Sequence, residues 1–203
     1  MFAADHESNY DRIRKDLFVI ALDSGAAQNA ASLGGTARDG RVSIPVFRQE
    51  CEVRSDDIYL NGRPLDTVGS ILVLRYLMQS GDAELHHEWL PYRDLKDGRP
   101  FSTYIKAHIE DRIAAAFSGR AAALQQRLEA IGGSLYEGEV TGDLVMLVHP
   151  LPRVPVLCVF NDADDEFGAA FQFLFDGSAP EFLDLESLAA ILQYVYINIA
   201  EEA

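Results

Sequence analysis

Cysteine is nearly missing from this chain of 203 residues, Cys51 and Cys158 being its only two. Two thiols make neither a disulfide scaffold nor a four-thiolate metal site. Each lies in an apolar or alternating run, which marks it as a reduced, buried side chain. Basic residues are also scarce: 17 Lys and Arg stand against 32 Asp and Glu, a formal net charge of −15. That balance argues against a nucleic-acid partner, whose binding depends on Lys and Arg displacing condensed cations. It would also repel an anionic membrane surface, and no apolar run approaches the roughly 20 residues of a membrane helix. The opening residues Met1 to Glu7 show no basic leader and no apolar core of a secretory signal, so a soluble cytoplasmic protein is the expectation. Catalytic signatures are lacking too. There is no Gly-x-Ser-x-Gly elbow and no glycine-rich loop with a following Lys, and nothing in the chain implies a cofactor.

What is present is a core-forming pattern, with 48% of residues hydrophobic. The runs Leu144 to Val148, Val154 to Phe160 and Ala169 to Phe175 have the length and the β-branched or aromatic content of buried strands. A Pro-rich turn and the acidic turn Asn161 to Glu166 separate them, so a β-meander is expected. Upstream, Tyr10, Ile13, Leu17 and Ile20 recur at helical spacing. A short Ala-rich helix follows, then alternating strands around Val42 to Val53 with a bend near Gln49. Pro45 has no backbone donor and places its strand at a sheet edge. Asn61-Gly62 is a tight-turn dipeptide.

Thr67 to Gln79 reads as a buried helix capped by Asp66 or Thr67, and Glu84 to Tyr92 as a strand holding the only tryptophan, Trp89. Ile105, Ile109, Ile113 and Phe117 define one helix face, with His108 at its border. Leu124, Leu128 and Ile131 define another face, and a final helix starts at Asp184. Strands grouped early and late around a helical middle predict an α+β fold: an antiparallel meander with packed helices in a single domain. In that reading residues 1–40 are a helical N-terminal arm and 41–203 the core.

Several residues carry a resemblance. Gly142-Asp143, Pro150-Leu151-Pro152-Arg153-Val154-Pro155-Val156, Asp164-Asp165-Glu166-Phe167 and Leu174-Phe175-Asp176-Gly177-Ser178 resemble the hallmark string of the family known as domain of unknown function 3786. Leu74-Arg75-Tyr76-Leu77, Trp89-Leu90-Pro91-Tyr92-Arg93 and Gly98 are similar to its middle section, so the likeness spans roughly Leu65 to Tyr194. The resemblance implies a small bacterial or archaeal cytoplasmic protein of anaerobes with no assigned activity. Some relatives are fused to a four-cysteine iron-sulfur domain like that of corrinoid proteins, which implies a link to corrinoid or one-carbon metabolism. This chain has no such cysteine cluster, so no iron-sulfur centre carries over.

The candidate chemistry is thin. Asp162, Asp164, Asp165 and Glu166 are enough oxygen ligands in number for a hard cation, but a calcium loop spreads its ligands over twelve residues with a glycine at the sixth, and here Gly168 follows the acids. A solvated turn is the plainer reading. Arg153 or Arg93 can pair with those carboxylates, or can hold a ligand's carboxylate or phosphate. His86-His87-Glu88 offers at most two ligands on one strand face, too few for a metal without a distant third such as His149. Asp176 begins a turn after the third strand.

The expected function is therefore that of a non-catalytic accessory module binding an unidentified protein or small molecule, through a groove lined by Trp89, Tyr92 and Phe101 with Arg93 at its edge. The competing reading is a hydrolase or lyase with Asp164 or Glu166 as base, Arg153 stabilising negative charge and His149 supplying a proton. The edge strand near Pro45 and the apolar last helix leave room for a homodimer without requiring one.

Overall fold

A computed structural model describes residues 8–23, 26–79 and 81–200. They form an α+β fold with two antiparallel sheets. The chain groups into two compact units: one runs to Pro45 and takes in Gln49–Asp82, and the other comprises Val46–Arg48 and the chain from Ala83 onward. Of the residues expected to form an arm, 1–40, the described ones group instead with Gln49–Asp82.

In the first unit, helix α1 (Asn9–Asp23) and the short α2 (Ala26–Asn29) precede strands β1 (Thr36–Arg38), β2 (Arg41–Val46), β3 (Gln49–Val53), β4 (Ile58–Leu60) and β5 (Arg63–Pro64). These pair in sequence order. Strand β2 lies between β1 and β3, so Pro45 is not on the edge strand expected of it; pairing with β1 reaches only Ser43, which leaves Pro45 beyond the end of that neighbour. Asn61 and Gly62 both take positive φ, 49° and 75°, as a tight hairpin turn demands. Helix α3 (Thr67–Leu77) is buried along nearly its whole length from Gly69 to Leu77. The Asp66 carboxylate accepts from the Val68 and Gly69 amides at 3.0 Å each, filling donors that the first helical turn leaves open. Tyr76 donates from its hydroxyl to Leu33 O at 2.9 Å, tying α3 to the segment before β1.

The second unit is built on the meander. Strands β8 (Leu144–Leu151), β9 (Val154–Asn161) and β10 (Ala170–Asp176) form its centre. The short β7 (Ser134–Leu135) pairs outside β8, and β6 (Trp89–Pro91) outside β10. Residues 84–88, expected to be strand, are not: β6 is three residues long, and a 3-10 turn (Tyr92–Asp94) follows it. Close approach explains the glycine after that turn, since a Cβ on Gly98 would lie 2.0 Å from Tyr92 O.

One sheet face presents Met146, Val148, Val156, Cys158, Phe160, Phe171, Phe173 and Phe175, all buried. Helices α5 (Asp111–Phe117), α6 (Ala121–Ala130), the short α7 (Ala179–Phe182) and α8 (Leu185–Ala200) accompany this sheet in the unit, with Leu188, Ile191, Leu192, Val195 and Ile199 as the buried stripe of α8. The opposite face carries a smaller cluster of Val145, Leu157, Val159 and Leu174, against which Trp89, Tyr136 and Val140 pack. Both cysteines are free and buried, and burial pushes the Cys51 thiol up to about 12 and the Cys158 thiol higher.

Helix α4 (Arg99–Ile105) does not run straight into α5. Between them Lys106–Glu110 forms a π-helical turn, closed by the bond from Asp111 N–H to Lys106 O. The spacing Ile105, Ile109, Ile113, Phe117 repeats strictly by four. On a 3.6-residue helix that pattern drifts by roughly 40° per step and would swing off the core. The wider π turn takes up the drift, and all four side chains are buried. His108, expected at the core border, instead stacks on Tyr104 at the surface, with ring centroids 4.4 Å apart.

Because Asp66 fills two otherwise open amides, Asp66→Ala should destabilise the protein by about 1 kcal/mol. Urea denaturation monitored by circular dichroism measures this, and an unchanged midpoint would show that the cap contributes nothing.

Candidate functional site

The sequence-derived residues fall in separate places. Trp89 donates from its indole N–H to the Tyr136 hydroxyl at 3.0 Å and meets that ring edge-on at 5.8 Å. Tyr92 is buried on the other sheet face, where its hydroxyl donates to Leu185 O at 2.8 Å. Burial, with a smaller contribution from Asp184, pushes the Tyr92 phenol up to about 12. Phe101 lies exposed on α4. Trp89, Tyr92 and Phe101 therefore do not line one groove.

The acidic turn is occupied with its own backbone. Asp164 accepts from the Glu166 and Phe167 amides at 2.8 and 2.7 Å, and these bonds hold its carboxyl below the usual carboxylate range. Asp162 accepts from Gly119 N at 2.7 Å, linking the turn to the connection between α5 and α6. Glu166 and Asp165 are exposed. Among the described residues no group of His, Cys, Asp and Glu is placed to hold a metal ion.

Arg153 lies at the opposite end of β9 from this turn, a strand of eight residues and hence about 25 Å. The pairing expected between Arg153 and Asp164 or Glu166 is therefore not made. Arg153 donates instead to Ala83 O and sits 5.4 Å from the Phe182 ring centroid. His149 is half-buried in β8 near that same end, and burial with the nearby Arg48 lowers its pKa below the ordinary histidine value. Arg93, on the 3-10 turn, is exposed beside Asp94 at 3.6 Å.

Asp176 is fully buried and works as a clamp. Its carboxylate accepts from the His86 and His87 amides at 2.9 and 2.7 Å, and from the Ser178 amide and hydroxyl at 3.0 and 2.6 Å. Burial alone would raise its pKa, but these donors outweigh that and hold it below the ordinary value.

A concavity of the second unit lies elsewhere, around the edge of β10 where β6 stops. It encloses about 520 Å³, within the usual range for a ligand site. Pro91, Tyr92 and Arg93 form one wall. Ser102, Thr103, Ile105, Lys106, Ala107 and Glu110 form the second, and Ala170, Phe171 and Gln172 of β10 form the floor. Glu110 is 7% exposed and accepts from Phe173 N–H at 2.9 Å. Burial raises the Glu110 pKa, while the Phe173 amide, Lys106 and Arg93 pull it back. Lys106 pairs with Asp111. Of the expected site residues, the structure brings only Tyr92 and Arg93 into this cleft. Glu110 gives no sign of burial in the sequence because it stands next to the charged Asp111 and Arg112, like any solvated carboxylate on a helix. The strict four-residue isoleucine spacing was the available sign that a π turn rotates it inward, and such turns occur frequently at functional sites.

The fold and cleft define an α+β protein with a partly polar pocket. Residues 26–197 match the family model described as domain of unknown function (DUF3786), and the chain belongs to that family. No curated protein and no solved structure matches it. No described helix is long and apolar enough to cross a membrane.

Two buried carboxyls should act in opposite senses on stability. Asp176 has a folded pKa below its unfolded value of about 3.9, so its contribution is complete above that pH and is lost as the pH falls through the folded value. Asp176→Asn should lose about 2 kcal/mol at neutral pH, since the amide NH2 would face a backbone donor, and its deficit should shrink in acid. Glu110 has a raised folded pKa, so it weakens the fold as pH rises past about 4.3. Glu110→Gln keeps an acceptor for Phe173 and should be more stable than wild type at neutral pH, with the advantage vanishing in acid. Urea midpoints across a pH series test both, and a Glu110→Gln chain weaker at neutral pH would mean that the charge itself is needed.

Proposed function

We propose that this protein is a non-catalytic accessory module whose ligand or partner seats in the cleft between α4, the π turn and the edge of β10. The observation that carries this reading is the cleft itself: a volume of about 520 Å³ whose wall includes a buried carboxyl, Glu110, flanked by Arg93 and Lys106. Pro91, Ala107 and Ala170 supply apolar contact area, and a few convergent polar groups supply orientation. Nothing at the cleft pairs a nucleophile with a base, which favours binding over turnover. The hydrolase or lyase alternative needs Asp164, Glu166, Arg153 and His149 in common reach. The length of β9 separates the first two from the others, and this disfavours it. The accessory role would sit within the anaerobic corrinoid or one-carbon metabolism that the family resemblance implies.

A fragment library screened by amide chemical-shift perturbation tests the reading. Binders should move the resonances of Arg93, Ser102, Lys106, Glu110 and Gln172 together, and Ala107→Trp, which fills the cleft from an exposed position, should weaken them at least tenfold. Fragments that gather elsewhere, or that bind Ala107→Trp equally well, would remove the cleft from the proposal.

A further inference from the structure

Two hairpin turns of this chain share one backbone conformation but are made of very different residues. Asn61-Gly62 turns β4 into β5 with φ of 49° and 75°, and Phe47-Arg48 turns β2 into β3 with φ of 48° and 61°. Asparagine and glycine enter that left-handed region readily, whereas the Cβ of a phenylalanine or an arginine crowds the following carbonyl there. The second turn therefore holds Phe47 and Arg48 at a conformational cost that Asn-Gly would avoid. Strain of this kind persists where the surrounding structure over-determines it, and it gathers at functional sites.

The groups that hold this tip lie on and beside β8. Between the pairs Val148–Val156 and Leu151–Val154, β8 has one residue more than β9, a bulge at His149-Pro150. Proline has no N–H to give to a ladder, and a bulge is one of the few places in a strand that tolerates it. Phe47 N–H donates to Pro150 O at 3.0 Å and fixes the tip against the bulge. Arg48 packs so closely over Gly132 that a Cβ there would lie 2.7 Å from its Cδ. Val46–Arg48 group with the second unit, as do Gly132 and the bulge, so the whole arrangement belongs to that unit. The cleft is at the other end of the sheet, where Ala170 stands opposite Asn161 of β9.

The charges at this spot are one-sided. Arg48 is exposed and His149 half-buried, and after burial itself it is Arg48 that lowers the His149 pKa. Among the described residues no carboxylate pairs with either group, although acids outnumber bases by 32 to 17 in the chain. Arg153, at the same end of the sheet, is engaged with Ala83 O and the Phe182 ring. Two basic groups side by side repel, and an anion held between them turns that repulsion into attraction. An arginine fork takes two oxygens in parallel, and a tetrahedral anion keeps a third for an imidazole N–H. We propose that Arg48 and His149 form a binding site, separate from the cleft, for the phosphoryl group of a small molecule. The strained turn and the β8 bulge are the frame that keeps the two basic groups together.

The test is an NMR pH titration of the full chain, isotope-labelled at histidine, in inorganic phosphate and in sodium chloride of equal ionic strength. His149→Gln identifies the ring by the signal it removes. Phosphate should raise the His149 pKa by about one unit or more over chloride, acetate should raise it less than half as far, and the other histidines should respond alike to all three salts. Arg48→Asn suits the left-handed backbone and should keep the wild-type urea midpoint, yet it should bind phosphate at least tenfold more weakly. Arg48→Gln, which keeps the stem over Gly132, should weaken binding as much. A His149 pKa that rises no further in phosphate than in chloride overturns the inference. So does an equal rise in acetate, a rise shared by every histidine, or a phosphate response retained in both Arg48 variants. The cleft takes no part in this experiment, so its failure leaves the proposed function standing.

Discussion

The hydrogen bond between the Phe173 amide and the Glu110 carboxyl is the contact on which the architecture of the second unit turns. It joins a strand edge to a helix at a point where the sheet has run out of strands. A buried amide without an acceptor there would cost about 1–3 kcal/mol, and a buried carboxylate without a donor would cost more. Each group relieves the other. The π turn is what brings them within reach, because it rotates Glu110 toward β10 while leaving Ile105, Ile109, Ile113 and Phe117 in the core.

Much of the fold was legible because it is written in periodicity. The three meander strands match their apolar runs to within three residues at every end, and α3 and α8 follow their stripes and their caps, whereas Tyr10 and Ile20 of the stripe expected on α1 are exposed. The strand expected across residues 84–88 failed for a nameable reason. The backbone amides of His86 and His87, which a strand would donate to a neighbour, are taken by the Asp176 carboxylate, and His87 adopts a positive φ of 57°. Alternation of side chains says nothing about a carboxylate from ninety positions away.

The cleft was much less legible. Tyr92 and Arg93 attract attention as an aromatic and a cation side by side, yet Tyr92 is chiefly a buried phenol bonded to Leu185 O. Glu110 looks like an ordinary polar residue between isoleucines. Its meaning depends on a one-residue change of helical phase and on where β6 stops, and neither is a local property of the residues involved. The acids after β9 are the densest in the chain, but Asp162 and Asp164 serve to hold backbone amides.

The Asp176 clamp also bears on how the chain comes off the ribosome. His86 and Asp176 are ninety residues apart, so at ordinary synthesis rates the segment around His86 emerges on the order of ten seconds before the carboxylate that fixes it exists. Until then β6 has no partner, since its only neighbour is β10. The tryptophan-bearing strand therefore stays unpaired and apolar until the last quarter of the polypeptide has been made.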